Sequence, residues 1–182
     1  HNPNAPRFGF DRNRARTLLA QAGLQDRNGD GIAEDAMGRP CEIKLQTNMG
    51  NPTRERTAAL IADDLRQIGI RLVVELVQFK ELERRINEEF NYESVLIGLS
   101  GAGTDPVSHL NVLKSDQPLH QWFPNQTQPA TEWEARIDAL MDAQMRTFDS
   151  AARKSAFDEI QVVLSEQLPM VYTVTPLRRA AV

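Results

Sequence analysis

A short acidic turn after the first predicted helix has the residue types of a calcium-binding loop. Side-chain oxygens stand at its first, third and fifth positions, on Asp26, Asn28 and Asp30. A glycine follows at the sixth position, but the twelfth, where an EF-hand loop carries a bidentate Glu, is Met37. Glu34 or Asp35 could supply a carboxylate instead. The pattern predicts either a tight Asx and Gly turn or a calcium site with a dissociation constant on the order of 10⁻³ M or weaker.

A serine between glycines follows the third predicted strand. The run from Gly98 to Gly103 approaches the nucleophile-elbow pattern around Ser100, but its fifth position is Ala102 rather than Gly. An elbow also needs a helix directly after the serine, and the glycines and a following proline argue against one. The acid and histidine of a triad would be Asp105 with His109 or His120. Glycines after a strand more often let a ligand or another backbone approach closely.

Trp122 lies in a polar stretch outside any helical stripe, where a large aromatic residue either covers the core or contacts a ligand. The histidines, His1, His109 and His120, have no paired spacing on a helix, and loop histidines of this kind are usually solvated or cap a turn. Metal catalysis therefore has little support. Cys41 is the single cysteine, which rules out an internal disulfide and a thiolate cluster. No cofactor is expected.

These residues are positioned by alternating strands and helices. Strands are predicted over residues 41–47, 70–77 and 94–99, and helices over 11–22, 52–68 and 79–90. The first strand alternates apolar and polar side chains, as half-buried strands do, whereas the second is apolar and β-branched, as buried ones are. With right-handed crossovers this order predicts an α/β fold with a small mixed or parallel sheet and helices packed on it.

The second half of the chain is predicted to be helical around a long irregular segment. Residues 100–130 are rich in Gly, Pro, Ser, Asn and Gln and hold at most one short helix, near 106–113. Apolar stripes from Trp133 to Phe148 and from Ala156 to Leu168 predict two longer helices, and residues 170–175 predict a final strand. Long loops in compact domains are usually functional.

Composition places the chain among ordinary globular proteins. Of its 182 residues, 41% are hydrophobic and 25% charged, which excludes a wholly disordered chain. The net charge is −4 and there is no block of Lys and Arg, so nucleic-acid binding is excluded. No apolar run approaches the ~20 residues that span a bilayer, and residues 1–10 lack the apolar stretch of a signal peptide.

Several segments together carry a family resemblance. They are the helix and glycine at 10–23, the turn at 28–32, Gly50 to Pro52, residues 65–70 with Phe79 after them, the turn at 104–106 and the helix at 153–169. In order and spacing these segments, over about residues 8 to 177, resemble the family 5 extracytoplasmic solute-binding proteins, the peptide/nickel-type receptors of ABC importers.

The resemblance implies one lobe of a two-lobed, type II periplasmic-binding-protein-like fold. On this basis residues 1–10 are an extended lead-in from a missing N-terminal portion, 11–176 are the C-terminal ligand-binding lobe, and 177–182 are a tail returning toward the missing lobe. Such receptors, periplasmic or anchored at the cell surface, close over a peptide or similar small solute and deliver it to a membrane permease. The implied partners are the solute, the permease and the missing lobe, and no enzymatic activity is expected.

The resemblance also implies which residues face the ligand. In related receptors the segment after the third strand carries a Trp and, three residues later, an Asp that binds a peptide's α-ammonium group. Aligned on the proline of the turn, these positions are Leu99 and Ala102 here, and a buried ammonium group without a counter-charge is costly. The residues expected to face the ligand are Leu99, Ser100, Gly101, Ala102, Asp105 and Trp122.

Two alternatives stay open on the residues alone. One is a serine hydrolase that uses Ser100. The other is a calcium-dependent interaction module built on residues 26–35. A helix directly after Ser100 would favour the first, and calcium-linked stabilisation would favour the second.

We predict that Ser100 is not a nucleophile, because glycines and a proline surround it and the sequence shows no oriented base. A fluorophosphonate probe should therefore leave the peptide containing Ser100 unmodified, as measured by mass spectrometry. Labelling that Ser100→Ala abolishes would contradict this expectation.

Overall fold

The structure is a computed structural model that describes residues 2–99 and 105–173. The chain forms two compact units. The first, the sheet unit, is Phe8–Gly101, and the second, the helical unit, joins His1–Arg7 to Ala102–Val182. Each unit has its own cluster of buried apolar side chains. The boundaries expected from the sequence, after residues 10 and 176, stay a prediction.

The sheet unit contains a three-stranded parallel sheet. The strands are β1 (Glu42–Asn48), β2 (Arg71–Val77) and β3 (Ser94–Val95), in the spatial order β2-β1-β3. Helix α1 (Arg12–Gln21) precedes β1, α2 (Pro52–Arg66) joins β1 to β2, and α3 (Phe79–Arg84) continues into a π-helix at Arg85–Glu89. The predicted α/β class with a small parallel sheet is confirmed.

Capping residues set the ends of α1 and α2. The side chain of Asp11 accepts a hydrogen bond from the backbone N–H of Arg14 at 2.9 Å, and that of Asn51 accepts from Arg54 at 3.1 Å, so both act as N-caps. After α2 the chain turns at Gly69, with φ +92°. A Cβ there would lie 3.3 Å from the backbone nitrogen of Ala33, so the position needs both the conformation and the small size of glycine.

β1 is more deeply buried than its sequence predicts, because it is the central strand of the sheet. It pairs with β2 along its whole length and with β3 at Leu45 and Gln46. Four consecutive residues, Leu45 to Asn48, are buried, whereas the alternating pattern predicts a half-buried strand. A strand covered by neighbours on both edges can bury polar side chains on either face if they find partners. Thr47 does so, because its hydroxyl donates to the carbonyl oxygen of Leu96 at 2.8 Å.

The two outer strands also differ from their predictions. β2 is predicted as a buried strand, but Val73 and Leu76 are 40% and 41% exposed, because an edge strand has a neighbour on one side only. β3 is predicted over residues 94–99 and ends at Val95. Leu96 still donates its N–H to the carbonyl oxygen of Gln46 at 2.9 Å. Its own carbonyl oxygen accepts from the Thr47 hydroxyl instead of from a strand N–H.

Two helices of the sheet unit depart from the predicted pattern. The helix predicted over residues 79–90 widens into the π-helix and stops at Phe90, which has a left-handed conformation with φ 53°. On α2, Leu60 belongs to the predicted apolar stripe but is exposed. The buried residue of α2 is Ala58, whose small side chain lets the helix pack closely on β2 and β1.

The helical unit is built on two long helices. A 3-10 helix at Pro106–His109 leads into α4 (Leu110–Leu113), and α5 (Glu132–Met145) packs against α6 (Ser150–Gln167). The core residues are Leu113, Ile137, Met141, Ile160 and Val163. These helices confirm the predictions for residues 106–113 and for the two apolar stripes.

Two details of the helical unit correct the sequence prediction. Phe148 was placed on the stripe of α5, but it lies beyond the end of that helix and is fully exposed. Of the final strand predicted over residues 170–175, the described part, up to Thr173, forms no strand. Val174 and Thr175 lie outside the described residues.

Among the apolar side chains of the sheet unit, Leu82 should make the largest single contribution to stability. It is fully buried and packs with Val77 and Ile86, so Leu82→Ala should lower the free energy of unfolding by roughly 2–5 kcal/mol. Urea denaturation measures the change. The matched control is Leu60→Ala on an exposed side chain, expected to cost less than about 0.5 kcal/mol, and equal losses in both variants would contradict the assigned core.

Candidate functional site

The carboxyl ends of the parallel strands mark one edge of the sheet unit. In open α/β sheets ligands bind outside this edge. β1 ends at Asn48, whose side-chain Oδ1 accepts a hydrogen bond from Nη1 of Arg54. Arg54 belongs to the first turn of α2. An amide and a guanidinium group therefore lie together where β1 ends.

Arg54 places a cation at this edge. It is half-buried, and within the described residues its guanidinium forms no ion pair, because its hydrogen-bond partner is the neutral Asn48. A Cβ on Gly98 would lie 2.8 Å from Nη2 of Arg54, so the guanidinium lies directly against the backbone that leads to Leu99. Sequence reasoning missed Arg54, although a cation in a helix turn directly after a strand is a readable signal.

The predicted ligand-facing segment is described only at its two ends. Leu99, at the start, is 47% exposed. Ser100, Gly101 and Ala102 lie outside the described residues. Asp105, at the far end, belongs to the helical unit. The role of this segment in binding a ligand stays a prediction.

Asp105 begins the 3-10 helix and is already partnered. Its Oδ1 accepts from the backbone N–H of Val107 at 2.9 Å and from Nη2 of Arg153. Arg153 also donates to Oε1 of Gln144 at 3.2 Å. The Val107 N–H and then the Arg153 guanidinium lower the pKa of Asp105 below its usual value. The carboxylate is thus ionised at neutral pH, and Arg153 balances its charge.

The buried carboxylate of Glu134 gathers donors from the loop before α5. Oε2 accepts from the backbone N–H groups of Ala130 and Thr131, at 3.0 and 2.9 Å, and from the Thr131 hydroxyl at 2.9 Å. Oε1 accepts from Nε1 of Trp122 at 3.1 Å and Nε2 of Gln126 at 3.0 Å. Burial alone would raise the pKa of Glu134, but these donors together lower it below its usual value.

His120 is buried against the same carboxylate, which corrects its prediction as a solvated or capping loop residue. Its Nε2 lies 3.2 Å from Oε1 of Glu134, and its Nδ1 lies 3.2 Å from the carbonyl oxygen of Val112. The ring thus lies within hydrogen-bonding distance of a carboxylate oxygen and a backbone carbonyl oxygen. The sequence does contain a signal for the site, since Thr131 and Glu134 have capping-box spacing.

Trp122 lies against the core of the helical unit. Its ring centroid is 4.0 Å from that of His120 and 6.2 Å from that of Trp133, and its indole N–H is used by Glu134. These contacts match the prediction that the residue covers the core. Contact with a ligand stays a prediction.

The structure brings the three residues of the acidic turn together. Asp26 accepts from the backbone N–H groups of Gly29 and Gly31, at 2.7 and 3.0 Å. Asn28 and Asp30 each accept from the N–H two residues further along, both at 2.8 Å. The turn is therefore held by Asx-type bonds, as the sequence predicted.

Comparison with solved structures shows the fold to which the chain belongs. AppA of Bacillus subtilis, solved with a nonapeptide, superposes with a TM-score of 0.76 at 24% identity, over 91% of this chain and 32% of that one. MelB of Agrobacterium fabrum, solved with stachyose, superposes at 0.81 and 20% identity, over 91% and 26%. The fold is that of periplasmic binding proteins. Within the described residues, no helix has the length and apolarity needed to cross a membrane.

Sequence comparison identifies the family. The family described as bacterial extracellular solute-binding proteins, family 5 Middle, matches residues 1–121, and the chain belongs to this family. AppA, an oligopeptide-binding protein, is 26% identical over 178 residues, 95% of this chain and 31% of its own. The probable ABC transporter periplasmic-binding protein SapA of Escherichia coli is 29% identical over 139 residues, 76% and 24%.

The chain spans about a quarter to a third of the length of these relatives. They are named as binding proteins rather than enzymes. The recognition made from sequence segments is therefore confirmed. Neither the serine hydrolase nor the calcium-dependent interaction module is supported as the function of the chain.

We predict that Glu134 makes stability depend on pH. Its folded-state pKa is lowered, so its contribution is complete above the unfolded value of about 4.3 and is lost as the pH falls through the folded value. Glu134→Gln should cost roughly 1.5–3 kcal/mol at pH 7, the contribution of a hydrogen bond to a charged group, and the difference from the unmodified protein should narrow below pH ~4.3. Thermal unfolding across pH measures this.

Glu132→Gln is the control for this prediction, because Glu132 is an exposed carboxylate in the same first turn of α5. It should change stability by less than about 0.5 kcal/mol. If the cost of Glu134→Gln stayed constant from neutral to acid pH, the ionised carboxylate would not be the stabilising group.

Proposed function

We propose that this chain is part of an extracytoplasmic receptor that binds a peptide or similar small solute and delivers it to the permease of an ABC importer. The observation that carries the proposal is the family match over residues 1–121. The names of the relatives, an oligopeptide-binding protein and a probable ABC transporter periplasmic-binding protein, support it. The receptor works outside the cytoplasmic membrane.

The mechanism is closure of two lobes over the solute. The lobe opposite this chain is the N-terminal portion of the same receptor, in keeping with relatives about three times as long as the chain. The solute stabilises the closed state by binding it more tightly than the open state. The receptor binds and releases its ligand without forming covalent bonds to it.

The ligand contacts the segment that follows the sheet, at Leu99, Ser100, Gly101, Ala102 and Asp105, with Trp122 as a further contact. The rule that ligands bind at the carboxyl ends of parallel strands supports the start of this segment. Arg54 is a further contact at the start of this segment, because its guanidinium lies at the end of β1 beside Gly98.

The charges at these positions indicate which ligand groups are recognised. Asp105 is balanced by Arg153, and the position aligned with the ammonium-binding Asp of related receptors is Ala102. Arg54, by contrast, forms no ion pair within the described residues. The ligand therefore presents a carboxylate or another hydrogen-bond acceptor to Arg54, and it does not depend on a buried ammonium group.

The test begins with the ligand that copurifies with the whole receptor, identified by mass spectrometry. Arg54→Met should then weaken binding of that ligand roughly 10- to 100-fold in calorimetric titration, since a hydrogen bond from a charged group contributes about 1.5–3 kcal/mol. Ser100→Trp and Asp105→Lys should also weaken it, by filling the site and by reversing a charge.

Two controls accompany this titration. Arg56→Met removes the same charge from an exposed position on the same helix, and Glu83→Ala removes an exposed carboxylate near the end of α3. Both should leave the affinity within a factor of two or so. Unchanged affinity in Arg54→Met would remove Arg54 from the site, and chemical conversion of the bound ligand would contradict a receptor function.

A further inference from the structure

The acidic turn after α1 plays no part in the proposed function, yet it concentrates negative charge. One carboxylate oxygen from each of Asp26, Asp30 and Glu34 lies within 4.8 Å of the other two. Oxygen ligands at 2.3–2.6 Å from a Ca²⁺ ion can be at most about 5 Å apart, so the three oxygens fit one coordination shell. Three carboxylates this close repel one another unless a cation lies among them.

Glu34 supplies an independent sign of a missing partner. It is 4% exposed, and its Oε2 accepts the backbone N–H of Arg27 at 2.8 Å. Its Oε1 is buried and has no hydrogen-bond partner. A buried carboxylate oxygen without a donor is costly, and this carboxylate has an oxygen within 4.8 Å of oxygens of Asp26 and Asp30.

The backbone holds Glu34 in this position. Its N–H and carbonyl exchange hydrogen bonds with Gln25, at 2.9 and 3.0 Å, across the base of the turn. The adjacent cation, Arg27, directs its guanidinium to the carbonyl oxygens of Gly23, Glu34 and Asp35 rather than to the carboxylates. The backbone thus fixes the acidic cluster in place, and the Arg27 guanidinium does not neutralise its carboxylates.

We propose that this turn is a calcium-binding site whose ligands are Asp26, Asn28, Asp30 and Glu34. Glu34, at the ninth position of the turn, takes the place of the Glu that an EF-hand carries at the twelfth. Met37, at the twelfth position, is 72% exposed and is no ligand. Three carboxylates and an amide oxygen, completed by water, form an oxygen-only set of the kind that Ca²⁺ prefers.

The ion would stabilise the sheet rather than touch the solute. Ala33, the residue before Glu34, is bound to the chain at the beginnings of both strands. Its N–H donates to the carbonyl oxygen of Gly69 at 2.8 Å, and its carbonyl oxygen accepts from the N–H of Cys41 at 2.7 Å. Gly69 and Cys41 precede β2 and β1, so the turn is attached at the amino ends of the strands. The solute site proposed above lies at their carboxyl ends.

Calcium titration of the whole purified protein, stripped of metal, tests the proposal. We expect CaCl₂ to bind with a dissociation constant of about 10⁻⁴–10⁻³ M. At ten times that concentration it should raise Tm by about 3–5 °C relative to EGTA. MgCl₂ at the same concentration should give less than half of the shift. Absence of calcium binding in this range, or an equal response to magnesium, would overturn the assignment.

Substitutions of Glu34 and Asp30 show whether these carboxylates bind the metal or only stabilise the fold. Glu34→Gln should weaken calcium binding at least tenfold, yet in EGTA its Tm should equal or exceed that of the unmodified protein, because it removes a buried charge without a partner. A purely structural Glu34 would lose Tm in both solutions. Asp30→Asn, at an exposed position, should weaken calcium binding similarly without endangering the fold.

The matched control is Asp35→Asn. It removes the same charge from the same segment, but the Asp35 carboxylate is bound by Arg39 and by the N–H of Met37. Calcium affinity in this variant should stay within a factor of two or so. Equal affinity in Glu34→Gln and Asp35→Asn would show that Glu34 is not a ligand.

Discussion

Polar side chains that leave water on folding need partners, and this constraint organises both units. In the helical unit the carboxylate of Glu134 meets it by accepting from the loop that precedes α5, which it holds onto the core through Trp122 and Gln126. In the sheet unit the buried end of β1 meets it through the Thr47 hydroxyl and the Asn48 amide. The loop conformation before α5 and the arrangement at the strand ends both follow from these bonds.

Glu34 would meet the same constraint with a bound cation as its partner. One of its oxygens accepts a backbone N–H, and the other lies buried without a donor. A divalent cation supplies what a hydrogen-bond donor would otherwise supply, and it also offsets the repulsion between neighbouring carboxylates. The turn would then link calcium to the amino ends of the strands, leaving the carboxyl ends to the solute.

The charges of Arg54 and Asp105 are balanced in different ways. In open α/β sheets ligands bind outside the carboxyl ends of the strands, where helix beginnings also lie. Within the described residues Arg54 meets only a neutral amide at the end of β1, whereas Asp105, in the helical unit, is balanced by Arg153.

The sequence by itself determined the α/β class, the order of elements and the family. Apolar spacing and capping residues act over a few positions, so Asp11, Asn51 and the stripes of α5 and α6 are readable locally. The turn at Asp26, Asn28 and Asp30 was also readable, because its bonds span at most five residues.

Only the tertiary structure decided which groups those elements bury. That β1 is central and β2 an edge strand depends on pairing between distant segments, so the exposure of Val73 and the burial of Asn48 could not be read from local alternation. His120 and Glu134 are fourteen residues apart, and the buried face of Glu34 exists only because the chain folds back on Gln25. Burial and partnering are properties of the packed chain, since they depend on which distant atoms displace water.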